Sequence, residues 1–137
     1  MVAWREAASD EAQSDLDGLL DEALTLAERR LSERGKFFPF GLVVDSSGAT
    51  QLIAADAQAA QQAHESNIRA VAAMRAQVRA AALVVDVRLP ETGGDGIEVF
   101  LEHAEGIALN VLEPYQLQGE VVVGGALEAS TAQRRIW

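Results

Sequence analysis

The chain has two histidines, His64 and His103, and no cysteine. His103 has Glu102 and Glu105 close by in sequence, and an imidazole beside carboxylates is the equipment of a general base or of half a metal site. Neighbouring residues of a strand point to opposite faces, however, so Glu102 and His103 do not converge. The plainer reading of His103 is a partly exposed histidine at a turn. His64 falls four residues before Ile68, on the packing face of a helix, where it reads as a satisfied histidine at the margin of the core. A two-histidine metal site would require the fold to bring the two together, and their spacing gives no reason to expect it. Both stay candidates for a pocket. No catalytic set, cofactor site or metal site is read from the sequence.

Other motifs are equally sparse. The stretch from Asp86 to Gly96 combines acids with glycines, but its acids are irregularly spaced and lack the closing Glu of a calcium loop. Neither a lysine nor a helix follows it, as a phosphate-binding loop would need. It reads as a connection between strands with Asp95-Gly96 as the turn. Ser46-Ser47-Gly48 sits in a hairpin turn rather than in the strand-to-helix elbow of a hydrolase. Without cysteine, disulfides, thiolate zinc sites and dithiol redox chemistry are excluded.

Charge says more. Eleven basic residues face 21 acidic ones, for a net charge of −10. Such a field repels nucleic-acid phosphates and anionic membrane surfaces, so neither is expected as a partner. Eight acids and one arginine crowd residues 1–28. This is the pattern of a solvated acidic helix face, or of a surface that meets a basic partner. The ending Arg134-Arg135-Ile136-Trp137 places an aromatic residue where frayed chains rarely need one. Trp137 either docks into its own domain or anchors a neighbouring subunit.

The elements that must position these residues follow from periodicity. Leu16, Leu19, Leu20, Ala23, Leu24, Ala27 and Leu31 recur at three-and-four spacing and predict a helix over 14–34, with Ser9 or Ser14 as cap and Gly35 as stop. Alternation from Phe38 to Val44, a turn at Asp45–Gly48 and a return over 51–54 predict a hairpin. A second helix is expected from about Ala57 to Ala80, capped by Asp56 and paired internally by Glu65 and Arg69. Strands then alternate over 83–89, 97–101 and 107–111, with a last strand, Val121–Val123, bounded by glycines. Residues 126–137 show no clear period.

This pattern predicts a single α+β domain with an antiparallel sheet of five to six strands and two long helices. The order of elements is similar to that of roadblock-type and profilin-like domains, which implies a small scaffold that dimerises through a helix or an edge strand. Residues 95–115, with Glu102-His103 and Pro114-Tyr115, and the ending Arg134-Arg135-Ile136-Trp137 resemble a set of small uncharacterised proteins of high-GC bacteria. That resemblance implies a bacterial source and carries over no functional residue. Ten of the eleven basic residues are arginine, which fits a high-GC coding bias.

The functional expectation is a protein-binding or self-associating module, without enzymatic activity, that forms a homodimer through Trp137, Ile136, Val121 and Val123. One alternative is a small-ligand protein or enzyme with an acid-lined pocket near His64 or His103. Another is an acidic protein that neutralises a basic partner, as immunity proteins do. The early residues turn acidic without an apolar run, so no targeting segment is read and the cytoplasm is expected.

Overall fold

The computed structural model describes residues 4–137; Met1–Ala3, the start of the stretch read for a targeting segment, lie outside them. A short helix α1 (Trp4–Ala7) leads into α2 (Asp10–Arg34). Ser9 caps α2 with its hydroxyl on the Ala12 amide, 3.1 Å away. Gly35, in the left-handed region at φ 76°, closes it through a bond from its amide to Leu31. The buried stripe of Ala12, Leu16, Leu19, Ala23, Ala27 and Leu31 is the face that the sequence period selects.

Strands β1 (Phe40–Asp45) and β2 (Thr50–Ile53) form the expected hairpin, followed by α3 (Ala60–Ala73), β3 (Val78–Arg88), β4 (Asp95–His103), β5 (Ile107–Gln118), β6 (Val121–Gly124) and β7 (Glu128–Thr131). All pairings are antiparallel, in the order β2-β1-β3-β4-β5-β6, and β7 also pairs with β5. The α+β class, the two long helices and the antiparallel sheet are as expected. Among the described residues, no helix is long and apolar enough to cross a membrane.

Three local expectations need correction. Helix α3 is shorter than 57–80: it ends at Ala73, and Val78, Arg79 and Ala80 already belong to β3. Residues 74–77 form a turn, and pairing with β1 and β4 makes strand of 78–80. Asp56 does not cap α3, whose first position is held by Ala59 without a side-chain bond. Asp95 and Gly96 are paired residues of β4; the turn is made by the preceding residues, with Gly93 at φ 72°.

The sheet is covered on both faces. Helix α2 packs on one through Phe40, Leu42, Val84, Val99, Leu101, Leu109 and Val111. Helix α3 and the C-terminal segment pack on the other through Val43, Leu83, Phe100 and Ala108. Asn67 ties α3 down from a fully buried position: its Oδ1 accepts from the Ala55 amide at 2.9 Å, and its Nδ2 donates to the Pro39 carbonyl at 3.1 Å.

β6 and β7 run along the same edge of β5, separated by 125–127. Tyr115 opposes Gly124 and Leu112 opposes Glu128, so three residues on the outer strand face two on β5. Pro114 sits at this interruption and accepts from the Gly125 amide at 2.7 Å. Having no N–H, Pro114 cannot return a bond, which suits a bulge.

Candidate functional site

His103 is buried, 3% exposed, rather than partly exposed as expected. It faces α2, where its Nε2 lies 3.0 Å from Asp15 Oδ2. Its Nδ1 accepts from the Glu105 amide at 3.1 Å, so the neutral ring carries its proton on Nε2 and donates to Asp15. Asp15 also accepts both prongs of Arg79, Nε at 2.9 Å and Nη2 at 3.0 Å. Glu105 accepts the backbone amide and hydroxyl of Ser9, and these bonds hold its carboxyl below the usual range. The group bolts the start of α2 to the ends of β3 and β4. With both ring nitrogens engaged, His103 presents no free lone pair to a substrate.

His64 is half-buried on α3, on the other side of the sheet from His103. Burial lowers its pKa, and the charge of Arg135 adds to that, while Glu98 and Glu65 oppose it. The two histidines are therefore not brought together. Among the described residues, no cluster of three or more His, Asp or Glu side chains is placed to hold a metal ion.

Of the two possibilities for the C-terminal residues, docking into their own domain is what the structure contains. Ile136 is 1% exposed and packs with Leu83, Phe100 and Ala108. The Trp137 indole donates to the Arg75 carbonyl at 3.1 Å. The anchor is Glu102, fully buried on the face opposite His103, as strand alternation requires. Its carboxylate accepts three successive amides: Arg135 and Ile136 on Oε1 at 2.8 and 2.9 Å, and Trp137 on Oε2 at 3.0 Å. The Arg135 guanidinium lies 4.9 Å from the Phe100 ring centroid, completing the clasp. Sequence reading attached no role to Glu102. The available signal was an acid on the same strand face as Phe100.

Val121 and Val123 stand at the far edge of the sheet, 61% and 44% exposed. Leu127 and Leu117 are also exposed there. Val122 turns inward against the core under α2, so Val121 and Val123 point to the α3 side of the sheet. On that side α3 and the C-terminal clasp cover the proximal strands and leave the distal part open.

The open part forms a groove of about 770 Å³. Leu89, Leu112, Pro114 and Val123 give it apolar surface, and Glu91 and Glu128 supply carboxylates, while Asp95, which borders it through its backbone, shares the opposite face with Tyr115 and Asp86. Gly96 shapes it from below: a Cβ there would stand 2.8 Å from the Leu112 Cδ1 and 3.3 Å from the Leu89 Cδ2. Its absence lets both leucines lie close over β4.

The α2 side of the same end carries a second acidic feature. Glu113, only 8% exposed, has its carboxyl pushed up to about 8, first by burial and then by the neighbouring Glu28. Nearby, the Tyr115 hydroxyl donates to Asp86 at 2.8 Å. Burial pushes the Asp86 carboxyl up, against the lowering effect of that bond.

No protein family, curated protein or solved structure matches the chain.

Proposed function

We propose that this protein is a non-enzymatic protein-binding module that self-associates through the β6 edge of its sheet. The carrying observation is the strand Val121–Gly124. It closes the sheet on one side, its outer edge is unpaired among the described residues, and Val121 and Val123 are exposed on it. Edge strands are ordinarily guarded by lysine, proline, inward charges or bulges. The bulge lies between β6 and β7 and adjoins both, but β6 itself has neither lysine nor proline, and its exposed side chains are valines. A second copy pairing antiparallel along β6 would satisfy the free backbone groups and cover the valines. The engagement of both His103 nitrogens in structural bonds also favours a module that binds over one that catalyses. A bacterial setting, which rests on the arginine-rich composition, belongs to the same proposal, as does the cytoplasmic location expected from the sequence.

Mass measurement of the native protein across a concentration series tests the reading. A dimer that accumulates with concentration is expected, and Val121→Lys with Val123→Lys should hold the chain monomeric without loss of thermal stability. A wild type that stays monomeric throughout, or a double variant that still dimerises, overturns it.

A further inference from the structure

The groove beside β6 has a composition that specifies more than contact in general. We propose that it receives an extended segment of a partner protein in which apolar and basic side chains alternate. The inference rests on the protein-binding part of the reading above and shares Val123 with the proposed dimer edge.

Three observations converge on that occupant. Leu89, Leu112, Pro114 and Val123 form an apolar surface that the protein's own helix and C-terminal clasp leave uncovered. Such a surface needs apolar side chains against it. The charged side chains that face the groove, Glu91 and Glu128, are acidic, and no Lys or Arg is among the lining residues. With a chain charge of −10 behind them, these carboxylates favour a cationic partner and disfavour an anionic one. The groove is also walled by Val123–Gly125 and Glu128, from the outermost strands of the sheet. An extended segment alternates its side chains on a two-residue period, which lets one set meet the apolar surface while the other reaches the carboxylates.

The test uses the full chain and two synthetic probes, a capped peptide of alternating leucine and arginine and the same peptide with glutamate for arginine. The arginine probe should bind saturably, and its amide shift changes should concentrate at residues 112, 113, 115 and 116 and at 123–128. The glutamate probe should not bind. The combined change Glu91→Gln and Glu128→Gln should weaken binding about fivefold or more. A control with the same change in net charge, Glu22→Gln and Glu33→Gln, should stay within about twofold.

Failure of the arginine probe to bind, shifts spread over α2, or equal losses in the two double variants would each overturn the proposal. The wild-type shift map decides the matter even if a variant folds poorly. Native mass recorded alongside separates the two readings. A dimer that ignores the peptide removes the groove and leaves self-association, and a monomer that takes it does the reverse.

Discussion

Replacing Glu113 by glutamine should flatten a pH dependence that the wild type carries. In the folded protein this carboxyl keeps its proton up to about pH 8, because it is buried against Glu28, whereas the unfolded chain releases it near the ordinary 4.5. Between these values the native state binds a proton that the unfolded state does not, so wild-type stability falls as pH rises through the window and levels off above about 8. In a rigid, dry site a displacement of this size would correspond to about 5 kcal/mol. Glu28 is partly exposed and solvent reaches the β6 margin, so about 1–3 kcal/mol is the expected loss. Glutamine of similar shape cannot ionise. Glu113→Gln should therefore match the wild type near about pH 5 and exceed it by about 1–3 kcal/mol near about pH 8. Urea unfolding of both proteins at several pH values measures the difference, in which His64 and the other titrating groups cancel. A gap that stays constant with pH, or one that widens toward acid, would refute the reasoning.

Three further changes probe the clasp and the bolt. Glu102→Gln turns an amide NH₂ toward one of the backbone donors now facing a carboxylate; it should cost about 1–3 kcal/mol and shift Trp137 fluorescence toward that of solvated indole. Ile136→Ala should cost about 2–4 kcal/mol in chemical denaturation, as for a buried aliphatic side chain cut back to its Cβ. Asp15→Asn should lower the Tm more than Asp17→Asn, because Asp15 is a 9% exposed carboxylate shared by Arg79 and His103, while Asp17 makes one exposed pair with Arg5. Equal shifts would show that the bolt adds nothing beyond a surface ion pair.

The clasp explains how a sheet with small residues at its centre is closed on the α3 side. β3 presents Ala81 there and β5 presents Ala108, and both pack in the core with Ile136. A helix cannot enter as closely as a single segment that bends at Arg135, and the buried Glu102 carboxylate holds that segment by three successive backbone amides. Arg134 and Arg135 remain exposed as a result, although their neighbour Ile136 is among the most buried residues.

Local periodicity was sufficient for the longest elements. The stripe from Leu16 to Leu31 with its caps determined α2, and strict alternation determined the hairpin and the centres of β3, β4 and β5, because those signals lie within one element and select one face. Alternation also placed Glu102 and His103 on opposite faces. Position in the fold required the tertiary structure. Whether 78–80 continue a helix or form strand depended on partners far away in the chain, and the burial of His103 depended on Asp15, 88 residues distant. The role of Glu102 depended on amides 33 to 35 residues further along, in a segment with no period to read. The groove arose from what α3 and that segment leave uncovered. Side-chain spacing encodes an element and its face, whereas a site assembled from several elements exists only once their packing brings them together.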